Sequence, residues 1–382
     1  MKRLFGNNYV LLFSILVLSP LCMLCLAGCS KKNAQTASSV SENDAGTRII
    51  TDKFGRKIEI PQTVKTIICL GSGAPRIAAY LGVMDMLVGS EEQDVKNLTV
   101  LRDYNPIYHD AFEKLPVAGS GGGSGQNNGY AEEIISIGPD VILAGFDKEP
   151  ADELQFQTGI PVVAVGYSSN GLANDTFYAS MRVFAEVVGA QERCEQVLSF
   201  IDNCKKDLGE RTSGIPDREK RKAYTGAVTF SGRHGFSGTY SNFGPFTVIN
   251  AFNVADKPTE EGYYEADLEK IIVWDPDVIF LDPGNMNLVN EEYAANPNYF
   301  KSLRAVREGQ VYTMPSFNNM SMNISYALMD AYYAGIVLFP EQFADVDIAK
   351  KSEEILTLFL GTNTYDTMAE GGLYYGKIII EK

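Results

Sequence analysis

The chain has 382 residues, which is long enough for two domains that each bury a core of their own. It carries 33 basic and 48 acidic residues, for a net charge of −15, and it has no long basic run. Such a surface repels nucleic acid and the anionic face of a membrane, which argues against a nucleic-acid-binding protein. The acidity does not identify a ligand, because solubility alone would account for it.

The first 28 residues have the pattern of an export signal. Two basic residues near the start precede an almost entirely apolar stretch that runs to Leu26, and small residues follow directly before Cys29. The ending Leu-Ala-Gly-Cys resembles a bacterial lipobox, which implies cleavage before Cys29 and lipidation of its thiol. The alternative is a signal-anchor helix, since the stretch is near membrane-spanning length. Residues 29–47 are polar and poor in aromatic side chains, which predicts a flexible tether.

The six cysteines do not predict a disulfide framework. Three of them belong to the signal or to its lipidated end. Cys69 lies in an apolar run, and Cys194 and Cys204 stand ten residues apart on one predicted helix, a rise of about 15 Å that no disulfide can bridge. We therefore expect three free thiols. Because zinc-type ligand spacing is also absent, no metal site is predicted.

A helix-to-strand unit occurs twice in the chain. Residues 131–145 read AEEIISIGPDVILAG, and residues 267–282 repeat the pattern as DLEKIIVWDPDVIFLD. Pro139 and Pro276 end the helices, since proline cannot continue them, and the short apolar runs that follow favour strands buried on both faces of a parallel sheet. The two prolines stand 137 residues apart, about one domain length. Two similar α/β lobes are therefore predicted. The alternative is that a common type of helix-to-strand loop occurs twice by coincidence.

In the N-terminal lobe, the segment from Arg48 predicts a hairpin, and a strand at Ile67 to Leu70, a Gly-Ser-Gly turn and a short helix follow it. This order places Ser72 at a helix N-terminus, where free N–H groups can meet a ligand. Arg76 opposes the dipole of that helix, so we expect it to serve either a ligand anion or a nearby carboxylate. Residues 119–125, GSGGGSG, lack the lysine of a phosphate-binding loop and favour a flexible crossing over a cleft.

Two later loops combine aromatic and hydrogen-bonding side chains, which is typical of small-molecule sites. Residues 231–246 supply Arg233, His234 and Tyr240, and residues 315–323 supply Phe317 and Asn318. The methionines of the second loop favour packing over metal ligation, because no cysteine or second histidine stands near them.

A proline-free segment with helical spacing separates the two α/β units, although Gly189 interrupts its pattern. We place the N-terminal lobe at residues 48–170, a helical connector at residues 171–213 and the C-terminal lobe at residues 214–382.

In the order and spacing of its motifs, the chain resembles the class III substrate-binding proteins of ABC importers, which take up iron-siderophore complexes, haem and cobalamin. The resemblance covers about residues 48–365 and rests on TDKFGRKIEIP, the two PDVI units, the segment YFKSLRAVREGQVYTMP and the helical stretch beginning ALMDAYYAG. It implies two Rossmann-like α/β lobes joined by one long helix, with the ligand in the cleft between them. The resemblance also implies a monomeric, non-enzymatic receptor at the outer face of the membrane.

The same resemblance implies partners and a ligand class. In such receptors, each lobe has a glutamate that pairs with arginines of the permease, which works with an ATPase. This glutamate lies seven residues before the proline of the Pro-Asp unit, a position that Glu132 and Glu269 occupy here. We expect a siderophore-type ferric chelate as the ligand and no cofactor. Arg76 and Arg233 would suit an anionic chelate or an oxyanion such as molybdate or tungstate.

Three further alternatives stay open from the sequence. Haem is one, because Tyr167, His234 and Tyr240 could ligate its iron. Cobalamin is the second, from the range of ligands of the family. A secreted hydrolase with a carboxylate pair is the third, although the chain has two histidines and none of the common hydrolase signatures.

Overall fold

The computed structural model describes residues 46–122, 125–167 and 172–380. The predicted signal peptide and the lipidation site Cys29 lie outside these residues. Within the described part of the chain, no helix combines the length and apolarity needed to cross a membrane. The three cysteines there are free and buried, as expected.

The chain opens with an antiparallel hairpin of β1 (Thr47–Thr51) and β2 (Lys57–Pro61). A parallel five-stranded sheet follows, in the spatial order β5-β4-β3-β6-β7. Its strands are β3 (Ile67–Leu70), β4 (Leu87–Glu91), β5 (Val117–Gly119), β6 (Val141–Ala144) and β7 (Val162–Ala164). The helices around it are α1 (Ala74–Leu81), α2 (Glu92–Lys96), α3 (Asn105–Phe112), α4 (Ala131–Ile137) and α5 (Lys148–Thr158). Every residue of β3 and β6 is buried, which explains why both read as continuous apolar runs.

The segment between the two sheets forms two helices, α6 (Asp175–Val188) and α7 (Gln191–Thr212). The family resemblance implied one long helix here, and α7 is the longer of the two. Gly189 ends α6 in the left-handed region at a φ of 77°, a conformation that glycine adopts without the Cβ clash of other residues. The 22-residue α7 is therefore the long helix of the connector.

A second five-stranded sheet follows, in the spatial order β10-β8-β12-β13-β14, and two further strands, β9 and β11, pair antiparallel beside it. The strands are β8 (Lys222–Gly226), β9 (Gly238–Ser241), β10 (Phe252–Asn253), β11 (Gly262–Glu265), β12 (Val278–Leu281), β13 (Val311–Thr313) and β14 (Gly376–Lys377). The helices are α8 (Gly244–Val248), α9 (Leu268–Trp274), α10 (Met286–Ala295), α11 (Pro297–Ser302), α12 (Arg304–Arg307), α13 (Ile324–Leu338), α14 (Ile348–Leu360) and α15 (Tyr365–Glu370). Only β14 runs antiparallel in this sheet.

The two Pro-Asp units occupy equivalent places in the two sheets. The Asp140 carboxylate accepts hydrogen bonds from the backbone amides of Lys65 and Thr66, at the start of β3, at 2.7 and 2.9 Å. Asp277 accepts the amide of Lys222, at the start of β8, at 2.7 Å. Each aspartate thus aligns its own strand with the neighbouring central strand, and the repeat predicted from the sequence is a repeat of structure.

Before it ends in β14 of the second sheet, the chain returns to α1 beside the first sheet. Helix α14 packs on α1, and Arg193 of α7 joins them by donating to the backbone carbonyls of Tyr80 and Leu358. Helix α13 is buried around nearly its whole circumference. One continuous apolar core therefore reaches from the N-terminal hairpin to α14. The lobe boundaries at 48, 171 and 214 stay predictions.

Candidate functional site

A cavity of about 820 Å³ lies where the carboxyl ends of the central strands of both sheets meet. In open α/β folds this edge is where ligands bind. Hydroxyl and amide groups dominate its polar lining, with apolar side chains between them. The cavity is lined by Ser72, Thr99, Val100, Leu101, Thr229, Phe230, Ser231, Gly232, Arg233, Asp282, Gly284, Asn285, Asn318, Asn319, Met320, Ser321, Met322, Gly371 and Leu373.

The structure places three of the predicted ligand-binding residues, Ser72, Arg233 and Asn318, in the cavity wall. Tyr240 and Phe317 line a smaller neighbouring pocket, which shares Asn318 with the cavity. That pocket holds about 20 Å³, room for roughly one water molecule. Tyr240 and Phe317 are nearly buried, at 3% and 4% exposure, so they support the cavity wall from behind.

Arg233 is the only cationic side chain among the described residues of the cavity lining. Its Nε donates to Oδ1 of Asn285 at 2.8 Å, and its Nη2 donates to the carbonyl of Gly284 and to Oδ1 of Asn287. Nη1 makes no hydrogen bond or ion pair within the described part of the chain. The guanidinium is therefore held in place on one side and offers free N–H groups on the other.

Asp282 is the acidic member of the lining and was missed from the sequence. Its carboxylate accepts the hydroxyl of Thr229 at 2.8 Å, the amide of Gly284 at 2.9 Å and Nδ2 of Asn285 at 3.2 Å. Burial raises the pKa of Asp282 to about 6, and these hydrogen bonds together with Arg233 oppose the rise. Asn285 connects the two charged groups, since it accepts from Arg233 and donates to Asp282.

Arg76 does not line the cavity, contrary to the prediction that it binds a ligand anion. Its side chain is fully buried and its Nε pairs with Oδ1 of Asp103 at 2.9 Å. The two Nη groups donate to the backbone carbonyls of Asn319 and Met320, each at 2.9 Å. The structure thus agrees with the alternative prediction, in which Arg76 pairs with a nearby carboxylate. Through Asn319 and Met320, Arg76 supports the cavity wall from its buried side.

Tyr167 also lies outside the cavity lining. Its ring packs on Gly73, where an added Cβ would come within 2.4 Å of it, and it stands 5.9 Å from the Arg76 guanidinium. Glycine at position 73 has a φ of 87°, so this close approach and this backbone conformation both favour glycine there.

His234 is unsuited to ligate haem iron in this structure, because both of its ring nitrogens are engaged. Nε2 lies 2.8 Å from the carbonyl oxygen of Phe230, and Nδ1 lies 2.6 Å from the hydroxyl of Tyr263. The hydroxyl of Tyr240 accepts from Asn318 at 3.1 Å. The three side chains named for haem therefore do not converge. In the described residues, no group of three or more His, Cys, Asp and Glu side chains is arranged to hold a metal ion.

The predicted docking glutamates occupy equivalent exposed positions on the two lobes. Glu132 lies in the first turn of α4 and Glu269 in the first turn of α9. Neither carboxylate has a hydrogen bond or an ion pair within the described ranges. One turn further on, Ile135 and Ile272 are 52% and 41% exposed, and Ile272 is followed by Val273 at 81%. Each lobe thus presents a free carboxylate beside exposed apolar surface on one helix face.

Comparison with known proteins gives the family. The family model described as periplasmic binding protein matches residues 67–317, more than half of the chain. The molybdate-binding protein MolA of Haemophilus influenzae is 23% identical over 349 residues, 85% of this chain and 94% of that protein. The Fe(3+)-citrate-binding protein YfmC of Bacillus subtilis is 24% identical over 314 residues, 81% of this chain and 90% of that protein.

Among solved structures, a periplasmic solute binding protein from Veillonella parvula superposes with a TM-score of 0.66 at 18% identity, covering 86% of this chain and 97% of that one. This likeness supports the two-lobed α/β architecture. The match of the family model over residues 67–317 shows that the chain belongs to the periplasmic binding protein family, the substrate-binding proteins of ABC importers.

Proposed function

We propose that this protein captures an anionic metal chelate outside the cell, foremost a siderophore-type ferric complex, and delivers it to a permease and its ATPase. The proposed ligand class rests on Arg233, whose Nη1 is free to bind an anion. The rest of the described cavity lining consists of neutral polar groups, apolar groups and one acid, Asp282. The lipid on Cys29 would keep the receptor at the membrane surface.

The cavity suits a ligand of this kind in size and in chemistry. Its volume of about 820 Å³ lies in the range of pockets that enclose small organic ligands, about 300–1,000 Å³. A guanidinium presents paired N–H groups that match a carboxylate or other oxyanionic group of a chelator. The hydroxyls of Ser72, Thr99 and Ser321 and the amides of Asn318 and Asn319 supply further hydrogen bonds.

Delivery to the permease depends in this proposal on Glu132 and Glu269. Two unpaired carboxylates, one on each lobe, allow a partner with arginines at a fixed spacing to recognise the whole receptor. The equivalence of the two helices supports this role, since a solvated charge at one helix start would need no counterpart on the other lobe.

An oxyanion such as molybdate or tungstate is the second candidate ligand. The molybdate-binding relative from Haemophilus influenzae supports it, as does the donor set of one guanidinium with hydroxyls and amides. Haem is disfavoured, because His234 and Tyr240 are engaged and Tyr167 lies elsewhere. Cobalamin has no specific support in the lining.

Thermal unfolding of the purified protein against ferric siderophores, ferric citrate, molybdate, tungstate, haem and cobalamin tests the proposal. A ligand that binds the native state stabilises it by RT ln(1 + [L]/Kd), about 2.7 kcal/mol at a hundredfold excess over Kd. We expect a raised midpoint with a ferric chelate, and loss of that shift in Arg233→Met. A raised unfolding midpoint with molybdate or tungstate alone would show that the ligand is an oxyanion and not a ferric chelate. Turnover of a glycoside or ester substrate would contradict the receptor function itself.

A further inference from the structure

Phe230 is an exposed aromatic side chain in the wall of the cavity. It is 38% exposed and stands three residues before Arg233. The phenylalanines of the same loop region serve as packing instead, since Phe236, Phe243 and Phe246 are at most 4% exposed. Phe230 differs from these packing residues because its ring is accessible at the wall of the cavity.

The ring of Phe230 is backed by a second aromatic ring. It stacks on Tyr263 with a centroid distance of 5.2 Å and an interplanar angle of 19°. Tyr263 in turn lies against the imidazole of His234, with centroids 4.4 Å apart. The edge of Tyr240 contacts Phe230 in a T-shaped arrangement at 6.1 Å. Tyr263 and Tyr240 therefore both contact the ring of Phe230, and His234 packs against Tyr263.

Hydrogen bonds fix this stack in place. Nε2 of His234 lies 2.8 Å from the carbonyl oxygen of Phe230. Nδ1 lies 2.6 Å from the hydroxyl of Tyr263 and 2.9 Å from the carboxylate of Glu265, to which that hydroxyl donates. The amide of Phe230 donates to the carbonyl of Gly232 at 3.0 Å across a tight turn. In that turn Ser231 has a φ of 51°, a left-handed conformation that serine rarely adopts. The turn presents Phe230 and Arg233 together at the cavity.

We propose that Phe230 is a stacking surface for a planar aromatic group of the ligand, and that Phe230 with Arg233 selects a chelator whose aryl ring bears acidic oxygens, of the catecholate or salicylate class. An aryl ring stacks offset on a phenylalanine ring, which an aliphatic chelator or a tetrahedral oxyanion cannot do. Phenolate oxygens are charged acceptors for the free Nη1 of Arg233. The inference rests on the proposed function and narrows its ligand class.

Calorimetric titration of the full chain tests this inference with three probes: the iron(III) complexes of 2,3-dihydroxybenzoate, of citrate and of acetohydroxamate. We expect the wild type to bind the dihydroxybenzoate complex most tightly. Phe230→Ala should weaken that complex about tenfold or more, because stacking and apolar contact are both lost. It should change binding of the citrate complex less than about twofold, and Phe230→Tyr, which keeps the ring, should restore most of the affinity.

Phe156, which is 90% exposed on α5 and outside the cavity lining, provides the matched control, and Phe156→Ala should leave all three affinities unchanged. The unfolding midpoint of each variant confirms that it is folded. Tight binding of ferric citrate with none of the aryl complex would overturn the aromatic class and leave the receptor function intact. Equal loss of all three complexes in Phe230→Ala would overturn the stacking role. Failure of the wild type to bind any of the three would contradict both the inference and the proposed function.

Discussion

The guanidinium of Arg76 donates a 2.9 Å hydrogen bond to the backbone carbonyl of Met320, a residue that lies 244 positions later in the chain. Met320 and Ser321 both have positive φ angles, 50° and 66°, in a turn that forms part of the cavity wall. Left-handed backbone at two consecutive non-glycine residues is strained and persists only where its surroundings hold it. A buried cation of the N-terminal lobe thus keeps a ligand-facing turn of the C-terminal lobe in an unusual shape.

We expect Arg76→Met to destabilise the protein by about 3–5 kcal/mol, because it leaves the Asp103 carboxylate buried without its cation. Arg76→Lys should lose less, since it keeps the charge but not the fork that reaches Asp103 and two carbonyls together. Urea unfolding measures both. Arg218→Met, which removes a guanidinium on a side chain that is 81% exposed, is the control and should cost less than about 1 kcal/mol. An Arg76→Met variant as stable as the wild type would show that the turn is held by other contacts.

Ligand affinity should depend on pH through Asp282. Its pKa is raised to about 6 in the folded protein, so the carboxyl becomes neutral as the pH falls through that value. An anion at Arg233 then no longer faces a nearby negative charge. We expect the Kd of an anionic ligand to decrease between pH 7 and pH 5 in the wild type. In Asp282→Asn the Kd should change little over the same range, and an equal pH dependence in both proteins would exclude Asp282 as its source.

The same group should affect stability in a defined direction. Because the folded pKa is above the ordinary value of 3.8, protonation favours the folded state. The stabilisation by Asp282 is fully present below about pH 4 and is lost as the pH rises through about 6. Glu91, whose pKa burial raises to about 8, acts in the same direction. The difference in unfolding free energy between wild type and Asp282→Asn isolates the aspartate, and it should change by up to about 3 kcal/mol between pH 4 and pH 7.

Transport and ligand binding should separate at the docking glutamates. We expect Glu132→Ala with Glu269→Ala to abolish uptake of ligand into cells, while the Kd for ligand stays within about twofold of the wild type. The reason is that both carboxylates are exposed and stand outside the cavity lining. Glu133→Ala, which removes the neighbouring exposed charge of α4, is the matched control and should leave uptake near normal. Loss of ligand affinity in the double variant would refute the assigned roles.

Removing the aspartate of either Pro-Asp unit should destabilise the fold. Asp140→Ala leaves the amides of Lys65 and Thr66 without their acceptor, and we expect a loss of about 1–3 kcal/mol in unfolding free energy. Asp277→Ala should have an effect of similar size, since it frees the amide of Lys222 and breaks an ion pair with Arg304. Asp110→Ala, on exposed α3 surface, is a control expected to change stability by less than about 0.5 kcal/mol.

The fold could be predicted from the sequence because its main signals are local. Proline, the following aspartate and the apolar run stand within a few residues of one another in each copy, and each copy formed the predicted helix and strand. The exposed positions of Glu132 and Glu269 followed from the same copies. The interruption of helical spacing at Gly189 is likewise a local signal, and it separates α6 from α7.

The site could be predicted only in part, because its contacts join distant parts of the chain. Arg76 was expected to face a ligand, but its partners lie 27 and 244 residues away and cannot be inferred from neighbours in sequence. His234 was assigned to the ligand from its residue type, whereas it lies behind Tyr263 and Phe230. Asp282 is the last residue of the second copy of the repeat and follows a buried strand directly. This position indicates a side chain at the ligand-binding edge of the sheet, although the sequence analysis did not include Asp282 in the site.

The return of the chain to the N-terminal lobe has a mechanical consequence. The two lobes are connected by α6 and α7 and again by the buried α13 and by α14, which packs on α1. Because the chain passes between the lobes more than once, we expect twisting and wide opening to be more restricted than with one flexible hinge. We therefore expect the distance between Glu132 and Glu269 to change little when a ligand fills the cavity, so that a partner that contacts both glutamates would bind the filled and the empty receptor alike.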